Sequence, residues 1–321
     1  MRRRTSLAFM ASLLVNQQAN AQILGSEAFR LIAPFPPGGP VDLLARLLAT
    51  GLAERYKQSA VVENLPGAAG NIGIEKARRA KADGHTLLVV PAGNLTINPT
   101  LMPNFPFNIE RDFAPISMLA KAPNVLVVNP ALKVKTMKEL IALAKAKPGI
   151  LAYGSPGVGS GLHLAGELLK QQAGIDILHV PYKGTSAALN DVLGGQVPMM
   201  FSNLPGVLAQ IRTGKLLALG LTEAARSPSA PDIETIAEQG IDGVVVTSWY
   251  GLLAPGATPP TVVEQLGKDA ATILDQPSVR EQFKVQGLTG VSMRPAEFAA
   301  YIRAETLQWG RIIKARNIVA E

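Results

Sequence analysis

Two periodicities alternate along this chain. Short apolar runs, the mark of buried strands, lead through Gly- and Pro-rich links into stretches whose apolar positions recur three and four residues apart, the mark of amphipathic helices. Arg30 to Phe35 is the first run. It ends in Pro36-Pro37-Gly38-Gly39-Pro40, after which Val41, Leu44, Leu47, Leu48 and Leu52 trace a helix face. Ala60 to Glu63 is the second run, followed by Pro66-Gly67-Ala68-Ala69-Gly70, a helix from Asn71 to Lys81 ended by Gly84, and a third strand from His85 to Val90. The order then returns. Ile150 to Tyr153 reads as a strand, Gly154 to Gly161 as a glycine loop, Leu162 to Ala173 as a helix and Ile175 to Pro181 as a strand. Tyr182-Lys183-Gly184 turns into a helix from Thr185 to Leu193, and Gly194-Gly195 precedes a strand from Val197 to Phe201.

Alternating strands and helices with short links predict an α/β protein whose parallel sheets are covered on both faces. Between the repeats Pro115 to Val128 reads as extended, and Thr136 with Glu139 predicts a capped helix that Pro148-Gly149 ends. Val244 to Ala254 is a second extended run, and helices from Pro259 to Leu274, Ser278 to Gln286 and Pro295 to about Lys314 close the chain. Two extended crossings between two α/β units suggest a double hinge. The expected division is a first lobe of residues 22–120 with 252–321 and a second of 121–251, the last helices returning to the first lobe.

The start of the chain departs from this pattern. Arg2, Arg3 and Arg4 precede an apolar run from Leu7 to Val15 and an Ala19-Asn20-Ala21 ending, which predicts a signal peptide of residues 1–21 cleaved before Gln22. The run falls short of the about 20 residues that span a bilayer, and the absence of cysteine removes both disulfides and a lipid-anchoring thiol. The expected product is exported and soluble in the periplasm. The formal charge is +7, but three of those charges are Arg2–Arg4, the remaining Lys and Arg are spread along the chain, and aromatics are only 5%. That is no footprint for nucleic acid.

Candidate chemistry sits in the two long glycine loops. Each follows the first strand of its unit and feeds a helix N-terminus, where free N–H groups and the helix dipole favour an anion. Neither loop is a nucleotide motif. Gly157-Val158-Gly159-Ser160-Gly161-Leu162 lacks the last glycine of G-x-G-x-x-G, and no G-K-[ST] occurs. Ser155 and Ser160 both fail the G-x-S-x-G pattern, and three histidines without cysteine offer no familiar metal spacing. No cofactor or metal is expected.

Several motifs, in order, resemble those of the Bug family, the extracytoplasmic receptors of tripartite tricarboxylate transporters. They are Pro34-Phe35-Pro36-Pro37-Gly38-Gly39-Pro40-Val41-Asp42, Asn64 to Gly73, Arg111 to Ile116, Tyr153 to Ser160 with His163, His179 to Gly184, Gly194 to Val197, and Ser248-Trp249-Tyr250-Gly251. The resemblance implies a two-lobed type II periplasmic-binding-protein fold, with a ligand cleft between two hinged α/β domains. It implies a small carboxylate (a di- or tricarboxylate, aromatic acid or acidic amino acid) held by the two strand–loop–helix elements, partly through water. The implied partners are the membrane subunits of such a transporter, with the receptor itself a monomer and not an enzyme. Pro198 and Ser202 stand where the family commonly or often has Asp, so a relative's ligand does not transfer.

The candidate ligand-binding residues are Phe35, Pro37, Gly38, Gly39, Asp42, Ser155, Gly157, Gly159, Ser160, Tyr182, Lys183 and Trp249. Asp42 either complements the dipole of its helix or meets a ligand ammonium or hydroxyl. Ser160 is an N-cap that could also touch ligand, and Phe35 is core or pocket wall. Tyr182 and Trp249 each follow a strand and could pack on a small ligand, whereas His163 and His85 read as packing residues. Two other readings are a binding protein that reports to a signalling partner and a hydrolase using Ser160 with His163. The second lacks an orienting partner for its base.

Overall fold

The computed structural model describes residues 24–319, so the expected signal segment lies outside the described residues. The first sheet begins with β1 (Phe29–Ala33), followed by α1 (Pro40–Tyr56), β2 (Ala60–Asn64), α2 (Asn71–Arg78) and β3 (Thr86–Pro91). Three short helices come next, α3 (Ala92–Thr96), α4 (Asn98–Leu101) and α5 (Ile109–Asp112), before β4 (Phe113–Ala122). The second sheet holds β5 (Asn124–Val128), then after α6 (Met137–Ala146), β6 (Ala152–Ser155), α7 (Gly161–Ala173), β7 (Leu178–Pro181), α8 (Thr185–Leu193), β8 (Met199–Asn203), α9 (Leu204–Arg212) and β9 (Leu217–Leu221). The chain returns through β10 (Ser248–Pro255) to α10 (Pro260–Leu274), α11 (Pro277–Val285), β11 (Thr289–Gly290) and α12 (Pro295–Ala315).

Strand order is β11-β4-β10-β3-β1-β2 in one sheet and β7-β6-β8-β5-β9 in the other. The expectation of parallel sheets holds only for the repeated units. β1 runs parallel to β2 and β3, and β6 to β7 and β8. β10 is antiparallel to β3 and β4, and β5 to β8 and β9, because these strands arrive from or leave for the other lobe. The helix expected to reach Lys81 stops at Arg78. Lys81 instead pairs with Glu27 and Asp83, and Gly84, at φ +91, turns the chain into β3.

Alternation along the strands assigns the faces. Phe29, Leu31 and Ala33 of β1 and Leu87 and Val89 of β3 join one core, and Ile32, Leu88 and Val90 the other. In β5, Leu126 and Val128 point to one side and Val125 and Val127 to the opposite one. Each of the Val, Leu, Ile and Phe side chains stabilises the fold by roughly 1.5–3 kcal/mol, which fixes the register because a one-residue slip would exchange the faces. The first crossing lies between Ala122 and Asn124, and Ser248–Gly251 pair within the first sheet. α12 belongs to neither side alone. Phe298 and Ile302 pack on the first sheet, while Trp309 and Ile313 join the core of the second.

Candidate functional site

A cavity of about 430 Å³ lies between the lobes. Its walls come from the segments after β1, β3, β6 and β7, at the C-terminal ends of parallel strands, where open α/β sheets place their ligands. The end of β8, the middle of α12 and the start of β10 complete it through Asn203, Glu305, Trp309 and Thr247–Tyr250.

The loop after β1 is held in shape by Asp42. Its carboxylate accepts from Gly38 N (3.0 Å), Asn64 Nδ2 (3.0 Å) and the Arg46 guanidinium through both Nε and Nη2 (3.0 Å each). Burial alone would raise this carboxyl's pKa, but the bonds from Arg46, Gly38 and Asn64 outweigh it and hold it below the usual range. Asp42 therefore clasps its loop and has no acceptor capacity aimed at a ligand ammonium. Gly38, at φ +89, is a backbone position that a side chain would strain.

The loop after β6 is braced by two stacked imidazoles. His163 and His179 lie 4.2 Å apart between ring centres. Ser155 Oγ lies 2.7 Å from His179 Nε2 and accepts from Gly157 N, while Gly159 N donates to His163 Nδ1. Ser160 caps α7, accepting from His163 N (3.1 Å) and donating to Gly157 O (2.7 Å). Burial, with Lys170 adding to it, lowers His163 to about 4; burial, then His163, lowers His179 to about 3. Both rings are neutral supports. The Ser160 hydroxyl and the His163 imidazole bond different groups, so they do not form a nucleophile–base pair.

These bonds decide which donors remain. Gly38, Gly157 and Gly159 already spend their N–H groups inside the loops. Initial helical N–H groups have no intrahelical acceptor, so the donors left are those of Val41 and Asp42 in α1, whose Pro40 has none, of Gly161 and Leu162 in α7, whose His163 N is taken by Ser160, and of the first turn of α8. α1 starts after Gly39 and α8 after Gly184, neither with a side-chain cap. Three helix N-termini thus line one cavity, where partial positive charge and free donors suit an anion.

Of the sequence candidates, Phe35, Pro37, Gly39, Gly157, Gly159, Ser160, Lys183 and Trp249 line the cavity. Gly38, Asp42, Ser155 and Tyr182 do not. Ser155 is fully buried, and the Tyr182 hydroxyl donates to Asp191 on α8 (2.8 Å). Trp249 is both wall and core, edge-on to Phe298 and Tyr301, with Nε1 donating to Glu305 Oε2 (2.8 Å). Gly93, Asn94 and Asn98, on or beside α3, were not singled out from the sequence, nor were Thr185–Ala187, Asn203, Glu305 and Trp309. A methyl group built on Gly93 would overlap the Gly159 carbonyl oxygen, so the lobes touch there backbone to backbone.

The crossings meet beside the cavity. Asn124 donates to Val246 O and accepts from Asn203 Nδ2 and the Ser248 hydroxyl, and Tyr250 OH donates to Asn203 Oδ1. Glu223 accepts from Asn124 N (2.9 Å) and the Thr247 hydroxyl (2.5 Å), tying both crossings together.

With this geometry in place, comparison with known proteins is direct. The family model described as "Tripartite tricarboxylate transporter family receptor" matches residues 44–318. The chain belongs to this receptor family. BugT of Bordetella pertussis is 36% identical over 307 residues, 95% of this chain and 94% of BugT. The periplasmic binding protein BugD superposes with a TM-score of 0.86 at 31% identity, over 92% of this chain and 100% of BugD. An R. palustris protein solved with adipate gives 0.87 at 33% identity, over 92% of this chain and 98% of that one. As a receptor of this family, the protein is a solute-binding protein with the two-lobed fold of its relatives. Among the described residues, no helix is long and apolar enough to cross a membrane.

Proposed function

We propose that this receptor captures a small carboxylate between its lobes in the periplasm and delivers it, chemically unchanged, to the membrane subunits of a tripartite tricarboxylate-type transporter. The observation that carries the reading is the convergence of the α1, α7 and α8 N-termini on one cavity. Anions at such ends gain from both free N–H groups and the dipole. The adipate bound to the R. palustris relative is the same chemistry. In this reading residues 1–21 are a signal peptide removed before Gln22, and the exported chain works as a monomer. The two lobes, meeting near residues 120 and 251, close about the crossings tied by Asn124 and Glu223.

The test is a thermal-shift panel of mono-, di- and tricarboxylates, acidic amino acids and neutral sugars. Ligand at a hundredfold excess over Kd stabilises the folded form by about 2.7 kcal/mol, so at least one carboxylate raises the melting temperature. Sugars raising it while every carboxylate leaves it unchanged would overturn the reading.

A further inference from the structure

The cavity is unevenly furnished. The helix N-termini supply donors for one carboxylate. Beyond them the walls include Ile97, Leu162, Val246, Trp249 and Trp309, with Phe35 at the mouth of the first loop. The charged side chains on the walls are Lys183, which leads into α8, and Glu305, which comes from α12.

Glu305 is bonded to Trp249 Nε1. Burial pushes its pKa up, against smaller downward effects from its bonds to Trp249 and Thr96 and from Lys121. Lys121 does not line the cavity; its ammonium lies over the Tyr301 ring, 5.7 Å from the centre. The α12 side of the cavity already disfavours the one negative charge it holds. A second ligand carboxylate there would be desolvated beside Glu305, while the wall cation, Lys183, sits in the turn into α8 with the donors for the first carboxylate, and a buried charge without a partner is unfavourable.

We propose that the ligand is a monocarboxylate with an apolar body, aliphatic or aromatic, and that Glu305 with the apolar wall selects against a second carboxylate. This rests on the carboxylate-receptor reading above. It names which carboxylates fit: those whose single charge reaches the helix N-termini and whose body lies against Ile97, Leu162, Trp249 and Trp309. Such selection differs from what is bound in the adipate complex of the R. palustris relative, a dicarboxylate.

The test is calorimetry on the mature protein with hexanoate, 3-phenylpropanoate and adipate, hexanoate and adipate having the same chain length and differing by one carboxylate. At least one of the two monocarboxylates is expected to bind about tenfold or more tightly than adipate, a difference of 1.4 kcal/mol. In Glu305→Gln, which keeps an acceptor for Trp249, the ratio of monocarboxylate to adipate affinity narrows severalfold. Adipate binding the natural protein as tightly as the better monocarboxylate overturns this inference and leaves the carboxylate-receptor reading standing. An unchanged ratio in a folded Glu305→Gln removes Glu305 from the selection. If neither monocarboxylate binds while another carboxylate of the thermal-shift panel does, this inference falls and the carboxylate-receptor reading stands.

Discussion

Gly93→Ala perturbs the point where the lobes touch without touching either core. With the lobes apart the change is harmless, since Gly93 lies in the short helix α3 at a φ that alanine accepts. Replacing glycine in a helix stabilises it by roughly 0.5–1 kcal/mol. Where the lobes touch, as in the structure, the new methyl overlaps the Gly159 carbonyl oxygen and lies 3.3 Å from Ser160 Cα, both backbone groups that cannot swing aside. Restoring ordinary separation of about 3.5 Å requires the two segments to part by about 1 Å. The displaced segment is the one that opens α7 and presents donors to the cavity. Losing one charge-assisted hydrogen bond of about 1.5–3 kcal/mol weakens Kd about 10- to 150-fold. Calorimetry with any carboxylate that binds the natural protein reads this directly, beside a melting curve of the ligand-free variant. Affinity within about threefold of the natural protein would refute the argument that closure brings these backbones into contact.

Other substitutions separate support from contact. Asp42→Asn removes the charge from the clasp on Gly38, Asn64 and Arg46 and is expected to lower stability by about 1–3 kcal/mol in denaturant titrations; an unchanged midpoint would contradict the clasp. Ser160→Ala removes the cap of α7, costing about 0.5–2 kcal/mol, and any affinity loss beyond that reflects loosening of the loop at Gly157. The histidine pair sets an acid limit. Both rings have folded pKa values below the unfolded 6.5, so their stabilising neutrality is complete above about pH 6.5 and is lost as pH falls towards 4 and 3. Each contributes a slope of up to about 1.4 kcal/mol per pH unit in that window, opposed by Glu223 and Glu305, whose raised carboxyls favour acid. His179→Gln should flatten the slope of stability against pH; equal slopes in variant and natural protein would contradict the assignment.

Much of this arrangement is legible in the residues. Strand runs ending in Gly- and Pro-rich links, followed by apolar spacing of three and four, locate β1 and β6 to within two residues and the starts of α1 and α7 to within one, and most of the link residues line the cavity. What the pattern conceals has physical causes. α3 has only five residues, too few to show a period, and so the segment around Gly93, Asn94 and Asn98 carries no expectation from the sequence. α9 and β9 went unread between two better-marked regions. Asp42 lies four residues before Arg46, but its bonds to Gly38 N and to Asn64, 22 residues on, exist only once β2 lies beside β1. For the same reason the loop glycines suggested free N–H donors, whereas folding turns those of Gly38, Gly157 and Gly159 inward and leaves the helix first turns to face the ligand.

The central claim is that the N-termini of α1, α7 and α8 hold a carboxylate between closed lobes. A crystal structure of the mature protein with the tightest carboxylate from the thermal-shift panel tests it most directly. The account predicts carboxylate oxygens within about 3.2 Å of first-turn N–H groups from both lobes, directly or through one water. A carboxylate held by Lys183 alone, or one lying outside the cavity bounded by Phe35, Ser160 and Trp309, would contradict it.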